Sequence, residues 1–218
     1  EETTFEEAFQ EIEKRLGPIL KEHGRDAAAV YLGNPNVHTL AGQLFLRPLV
    51  KALGTGNVFF SSTVDQMPKQ VSCGFMFGSA AAIPVPDLDR TDYLLMLGAN
   101  PLASNGSLCT APNFPGRLRA LRDRGGKLVV VDPRRTRTAE MADRHIFIRP
   151  GTDPWLLLGL IHVLFAEKLV RTERLSPWLD GLDRLEELAR DFTPDQVARM
   201  TGAAPETAME LARELAQA

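Results

Sequence analysis

The sequence predicts an α/β fold, a parallel sheet flanked by helices in a Rossmann-like arrangement, and three observations lead to that prediction. Residues 93–97 and 128–131 form short, fully apolar runs without alternation, which is typical of parallel strands covered on both faces. Segments with helical periodicity separate such runs. Turn residues end each run, so strands and helices alternate along the chain, as they do in doubly wound folds.

The first part of the chain contains two helical patterns and two short strand patterns. The predicted elements are a helix at 4–23, a strand at 27–32, a helix at 39–53 and a strand at 58–62. Thr4 followed by Glu7 is a capping box that begins the first helix, and Pro48 can kink the second. No period holds over residues 65–92, and irregular segments of this length are usually functional loops.

The second part of the chain continues the alternation. The predicted elements are strands at 93–97, 128–131 and 145–148, helices at 114–124 and 138–143, and helices beginning near residues 152, 176, 194 and 205. Proline in the first turn supports the starts of the later helices. We therefore expect residues 1–60 to form a first lobe that is incomplete in this piece, and residues 61–218 to form a Rossmann-like lobe.

Composition excludes several classes of protein. The chain has 218 residues, of which 44% are hydrophobic and 24% are charged, and its net charge is −3, so nothing indicates a nucleic-acid partner. No apolar run reaches the roughly 20 residues of a membrane span, and we expect a cytoplasmic location. The two cysteines, Cys73 and Cys109, are too few for a disulfide scaffold, and we interpret Cys109 as a small buried residue.

Polar residues follow three of the predicted strands at their carboxyl ends, where open α/β sheets bind ligands. They are Gly98, Asn100 and Ser104, then Asp132 and Arg134, then Gly151 and Asp153. Glycine permits close backbone approach, aspartate accepts from a ribose or from guanine, and arginine suits a phosphate. Each group alone is also explained by a turn or helix cap, but three together favour a nucleotide crevice. GxGxxG and GxxxxGK[ST] are absent from the sequence.

The chain resembles the central catalytic region of the molybdopterin oxidoreductase family, which includes formate dehydrogenases, nitrate reductases and dimethyl sulfoxide reductase. The similar segments are residues 5–12 (FEEAFQEI), 29–35 (AVYLGNP), 92–101 (DYLLMLGANP), 127–139 (KLVVVDPRRTRTA) and 149–153 (RPGTD). Each segment is weak alone, and their combination is specific.

The resemblance implies a bis(molybdopterin guanine dinucleotide) centre with molybdenum or tungsten. It implies that one part of the dinucleotide lies by Gly98, Asn100 and Ser104, guanine or phosphate by Asp132 and Arg134, and guanine by Gly151 and Asp153. The 61–218 lobe would then be the dinucleotide-binding lobe.

The protein ligand of the metal is less sharply indicated. Family members use cysteine, selenocysteine, serine, aspartate or no ligand, on a loop after the turn that corresponds here to residues 54–58. Asp65 is the preferred candidate for the metal-binding and catalytic residue, because a carboxylate is a suitable hard ligand. Cys73 is the alternative metal ligand, and it remains open that neither residue binds metal. A turn-forming aspartate and a buried thiol are the competing structural interpretations.

The resemblance further implies that these residues are a piece of a longer oxidoreductase that performs two-electron or oxygen-atom transfer on a small-molecule substrate. A [4Fe–4S] cluster would lie in a missing N-terminal domain, and an electron-transfer subunit or carrier would be a partner along with the remaining domains of the parent chain. We expect the isolated piece to be inactive and expect that it can lack bound cofactor. A non-redox nucleotide-binding module and a metal-free scaffold paralogue are the alternatives.

Overall fold

The chain folds into two compact units, Glu1–Ile83 and Pro84–Ala218. The structure, a computed structural model, describes residues 2–33, 35–105 and 111–218. Among these residues, no helix combines the length and the apolar character needed to cross a membrane.

The first unit is built from helices around a short parallel strand pair. Its elements are α1 (Phe5–His23), a 3-10 helix (Arg25–Ala27), β1 (Val30–Leu32), α2 (Pro35–His38), α3 (Leu40–Leu53), β2 (Val58–Phe60), α4 (Ser62–Asp65) and α5 (Met67–Phe77). Strands β1 and β2 pair in parallel, with Val30 opposite Val58. The predicted capping box is confirmed, because the Thr4 hydroxyl accepts from the Glu7 N–H and the Glu7 carboxylate accepts from the Thr4 N–H.

Polar contacts, rather than a buried core, connect the elements of the first unit. The Asp26 carboxylate accepts from the Gly56 N–H at 2.8 Å, and the Thr55 hydroxyl donates to the Ala28 carbonyl at 2.7 Å. Arg25 donates to the carbonyls of residues 52 and 53 at the end of α3, where a cation is favourable. Among the described residues of this unit, Cys73 is the one buried hydrophobic residue.

Helix α5 corrects the expectation that residues 65–92 lack regular structure. It covers Met67–Phe77, with Pro68 in its first turn and Gly78 in the left-handed conformation just after it. Both are ordinary boundary signals for a helix. The helical period was missed because apolar side chains lie on more than one face, including the exposed Val71, Phe75 and Met76. Residues 61–83 also group with the first unit, whereas the sequence assigned them to the second lobe.

The second unit contains a three-stranded parallel sheet with helices on both faces. Its elements are β3 (Tyr93–Leu97), α6 (Pro101–Ser104), α7 (Phe114–Asp123), β4 (Lys127–Val131), α8 (Arg137–Met141), β5 (Arg144–Ile146), α9 (Asp153–Ala166), α10 (Leu182–Ala189), α11 (Pro194–Thr201) and α12 (Pro205–Gln217). The strand order is β3-β4-β5. The helix expected from residue 176 is a short 3-10 helix, Ser176–Trp178, and α10 begins six residues further on.

Two hydrophobic cores lie on the two faces of this sheet. Val129 and Val131 of β4 face the first core, which α9, α11 and α12 complete with Leu156, Leu160, Val163, Val197, Ala208, Leu211 and Ala212. Leu128 and Val130 face the second core, with Phe114, Leu118 and Leu121 of α7. Successive strand side chains point to opposite faces, so a continuous apolar run is what a doubly covered strand requires. The predicted α/β fold is confirmed.

Glu214 of α12 links strands β3 and β4 at their amino ends. Its carboxylate accepts from the Tyr93 hydroxyl at 2.7 Å and from the Lys127 ammonium at 2.5 Å. Burial acts to raise the pKa of Glu214, but the hydrogen bonds from Lys127 and Tyr93 outweigh it and hold the pKa below its ordinary value. Burial, and then the bond to Glu214, raises the pKa of Tyr93.

Replacing Glu214 with glutamine is expected to lower the free energy of unfolding by about 1 kcal/mol at neutral pH. The loss is small because the side chains of Glu214 and Lys127 are both partly solvated. A lowered carboxyl pKa in the folded state stabilises the protein above the unfolded-state pKa, and this contribution disappears as pH falls through the folded-state value. Urea unfolding at neutral pH and at about pH 3 measures the effect. If Glu214→Gln lowers the free energy of unfolding equally at both pH values, the stabilisation does not come from the charged form of Glu214.

Candidate functional site

The carboxyl ends of β3, β4 and β5 lie side by side, because Leu97 pairs with Val131 and Val131 pairs with Ile146. The ladder continues one step beyond the strands. The Gly98 N–H donates to the Val131 carbonyl at 2.9 Å, and the Asp132 N–H donates to the Ile146 carbonyl at 3.1 Å. The loops that follow the three strands therefore begin at one edge of the sheet, as the sequence predicts.

The first loop carries Gly98 and Asn100 and leads into α6, which ends at Ser104. Gly98 has a φ of +59°, which favours glycine, and no atom lies within 4 Å of the position that a β-carbon would take. Asn100 immediately precedes α6, and the Ser104 hydroxyl donates to the Asn100 carbonyl at 3.3 Å. The backbone at Gly98 is thus open to close approach by a ligand.

The second loop carries Asp132, which is only 7% exposed. One of its carboxylate oxygens, Oδ1, accepts from the Arg134 N–H at 2.7 Å, and its backbone carbonyl is 3.0 Å from His145 Nε2. Within the described part of the chain, its other oxygen, Oδ2, has no hydrogen-bond partner. The Arg134 side chain is exposed. The loop therefore presents one unused carboxylate oxygen and the exposed cations Arg134 and Arg135.

The third loop carries Gly151, leads into Asp153 at the first position of α9, and is fixed by Arg149. The Arg149 guanidinium donates to the Arg199 carbonyl at 2.8 Å, at the end of α11. The Thr152 hydroxyl donates to the Arg149 carbonyl at 2.7 Å, and Gly151 has a φ of +79° with open space beside it. Neither carboxylate oxygen of the half-buried Asp153 has a partner among residues 2–33, 35–105 and 111–218.

Thr138 of α8 connects the first and second loops. Its hydroxyl accepts from the Leu102 N–H at 3.2 Å and donates to Asn100 Oδ1 at 2.8 Å, and the residue is completely buried. The sequence indicated the threonine hydroxyls after Asp132, including Thr138, as groups suited to a phosphate, and it indicated no role for Arg149; the structure instead buries Thr138 against Leu102 and Asn100. A threonine on a short helix beside a candidate loop was the available signal for Thr138, whereas the partner of Arg149 lies 50 residues away.

The two candidate metal ligands both belong to the first unit. Asp65 is the last residue of α4 and is exposed, whereas Cys73 lies within α5 and is 4% exposed. In the described residues, no three or more His, Cys, Asp and Glu side chains gather where they could hold a metal ion. Cys109, interpreted above as buried, lies outside the described residues. The assignment of a metal ligand stays a prediction.

The residues of the three loops fit the dinucleotide that the family resemblance implies. They combine open glycine backbone, an exposed arginine suited to phosphate, and carboxylates with unused acceptor oxygens suited to hydroxyl or base N–H groups.

Comparison with known proteins identifies the family of the chain. The sequence profile described as molybdopterin oxidoreductase matches residues 1–190. The F420-dependent formate dehydrogenase 2 subunit alpha of Methanococcus maripaludis is 28% identical and aligns with 97% of this chain. The acetylene hydratase of Syntrophotalea acetylenica is 31% identical and aligns with 93%.

A solved structure titled acetylene hydratase from Pelobacter acetylenicus superposes with a TM-score of 0.73 and 27% identity, over 97% of this chain and 28% of that one. The chain spans only 30% and 26% of the two sequence relatives. It therefore corresponds to a fragment of their length. Because the family profile matches most of its residues, the chain belongs to the molybdopterin oxidoreductase family.

Proposed function

We propose that the three loops at the carboxyl edge of β3-β4-β5 bind the guanosine diphosphate portion of a molybdopterin guanine dinucleotide. The observation that carries this proposal is the unused acceptor capacity of Asp132 and Asp153, which follow strands β4 and β5. The open backbone at Gly98 and Gly151 supports it, because a phosphate or base can approach without meeting a side chain.

Asp153 is assigned to the guanine base. Guanine presents two adjacent donors, N1–H and the N2 amino group, and a carboxylate with both oxygens unused can accept both. Adenine presents no such pair of donors, so this contact would select guanine. The open backbone at Gly151, two residues earlier, would leave room for the base.

Asp132 and Arg134 are assigned to the ribose and the phosphates. Asp132 already uses one oxygen for the Arg134 N–H, which leaves a single acceptor, and a ribose hydroxyl needs only one. The Arg134 guanidinium on the same loop is exposed and can bind a phosphate in bidentate fashion. Asn100 would complete the phosphate contacts from the first loop, and Ser104 would join them by exchanging its 3.3 Å hydrogen bond to the Asn100 carbonyl for one to the phosphate.

Asp65 remains our proposed metal ligand, ahead of Cys73. An exposed carboxylate at the end of α4 can be reached by an incoming metal centre, whereas the Cys73 thiol is enclosed by its surroundings. When bound, the molybdenum or tungsten centre supplies two-electron or oxygen-atom transfer. The residues of this chain would hold and orient the cofactor.

The activity itself is proposed for a longer protein, because the chain spans about 30% of its formate dehydrogenase relative. In that protein a [4Fe–4S] cluster and an electron-transfer partner would lie outside these residues, and this piece alone would not turn over. The surface of the first unit favours an assembly with further domains. Large apolar side chains are exposed on it, among them Phe5, Phe9, Phe45 and Phe75.

The 218-residue chain is expected to bind GDP at least about tenfold more tightly than ADP, because only guanine offers two donors to one carboxylate. Isothermal titration calorimetry with GDP, ADP and GMP measures the preference. GMP is expected to bind more weakly than GDP, since it lacks one phosphate for Arg134.

Equal binding of GDP and ADP would refute the assignment of Asp153 to guanine, and binding of neither would refute the nucleotide assignment as a whole. Metal analysis of the longer protein then separates the remaining functions. Molybdenum or tungsten near one atom per chain supports an oxidoreductase, whereas GDP binding without either metal supports a non-redox nucleotide-binding module or a scaffold paralogue.

A further inference from the structure

We propose that Thr138 is a positioning residue that sets which end of the Asn100 side-chain amide faces the bound dinucleotide. The inference rests on the proposed function, because it concerns how the first loop meets the phosphates of that ligand. It concerns a residue that touches no ligand itself and acts through Asn100.

The Thr138 hydroxyl is held in one arrangement by two different partners. The Leu102 N–H can only donate, so the hydroxyl oxygen accepts from it at 3.2 Å. The single hydroxyl proton is then available for Asn100 Oδ1, which lies 2.8 Å away. Thr138 is completely buried, so water does not compete for either hydrogen bond.

This pairing determines the polarity of the group that Asn100 presents. With Oδ1 engaged by Thr138, the Nδ2 amino group has no partner among the residues that the structure describes. Two N–H donors are therefore left for a ligand. A phosphate carries only acceptors at neutral pH, so it is attracted by Nδ2 and repelled by Oδ1.

Loss of the hydroxyl would remove this selection. The amide of asparagine rotates through a broad, roughly two-fold torsion, so either end can face the ligand once Oδ1 has no fixed donor. The Leu102 N–H would lose its acceptor at the same time. Thr138 thus couples the loop after β3 to the helix after β4, and the phosphate contact depends on that coupling.

Four variants test the inference: Thr138→Val, which keeps the shape without the hydroxyl, Thr138→Ser, which keeps the hydroxyl, Asn100→Ala, and Thr138→Val combined with Asn100→Ala. Calorimetry with GDP is expected to show a loss of about three- to tenfold for Thr138→Val and near wild-type affinity for Thr138→Ser. In the Asn100→Ala background, Thr138→Val is expected to cause no further loss.

A purely structural role for Thr138 would lower stability and would weaken GDP binding by the same factor with or without Asn100. That result, or unchanged affinity in Thr138→Val, overturns the inference while leaving the nucleotide assignment intact. If the wild-type chain does not bind GDP, the proposed function and the phosphate role of Asn100 fall together.

The positioning step has its own readout without ligand. In ¹H–¹⁵N spectra of the free chain, the Asn100 Nδ2 group is expected to give one sharp pair of signals at the same shifts in wild type and Thr138→Ser. In Thr138→Val both signals of the pair are expected to shift together and to broaden, because the amide then exchanges between two orientations about Cβ–Cγ. Identical Asn100 side-chain signals in all three proteins would show that Thr138 does not orient the amide.

Discussion

Replacing Asp153 with asparagine is expected to exchange the nucleotide preference of the chain from guanosine to xanthosine diphosphate. Both oxygens of Asp153 are unused among the described residues, which matches the N1–H and N2 amino donors of guanine. Asparagine offers one acceptor and one donor, which match the N1–H and C2 carbonyl of xanthine. We expect GDP affinity to fall about 10- to 100-fold, since charge-assisted hydrogen bonds are lost and a donor faces a donor.

Calorimetric titration of GDP and xanthosine diphosphate into wild type and Asp153→Asn measures this exchange. Asp132→Asn is the matched control, because asparagine can still accept the Arg134 N–H through its oxygen. If Asp132 contacts the ribose, its variant weakens both nucleotides by a similar factor. A reversed preference in Asp132→Asn and none in Asp153→Asn would exchange the roles of the two residues.

Truncating Leu211 to alanine is expected to lower the free energy of unfolding of the second unit by about 3 kcal/mol. Leu211 lies on α12 with no exposed surface, and it packs in the core that covers Val129 and Val131 of the central strand. Its removal leaves a cavity that the surrounding side chains cannot fill completely. Thermal and urea unfolding followed by circular dichroism measure the loss.

Leu215→Ala on the same helix is the control for the effect of alanine itself. Leu215 lies one turn later and is 37% exposed, so its truncation is expected to cost less than about 1 kcal/mol. Equal destabilisation by the two variants would mean that α12 does not cover this face of the sheet. In that case α12 would also not be part of the core that supports the strands carrying the candidate site.

The sequence predicted the second unit closely because its local signals and its tertiary environment agree. The apolar runs at β3 and β4, the helix α7 and the proline-started helices α11 and α12 all form where expected. The first unit was harder. The sequence did not predict its α5, because apolar residues lie on more than one face of this helix and hide the helical period.

The candidate site divides in the same way. Gly98, Asp132 and Gly151 follow strands, so a sequence with recognisable strands places them at one edge before any coordinates are known. Which oxygens remain unused is not readable from sequence. The answer depends on which hydrogen bonds form on folding. The Arg134 N–H occupies one oxygen of Asp132, and carbonyls of the distant α11 occupy the guanidinium of Arg149.

By itself, the sequence determined the family, the α/β class and the residues that follow each strand, because apolar periodicity and turn chemistry are local properties of the chain. Only the tertiary structure decided that Thr138 holds Asn100, that Asp153 keeps both oxygens open and that Asp132 keeps one. These are matters of hydrogen-bond pairing between segments brought together by folding. A donor or acceptor has no assigned partner until the strands align and the loops meet.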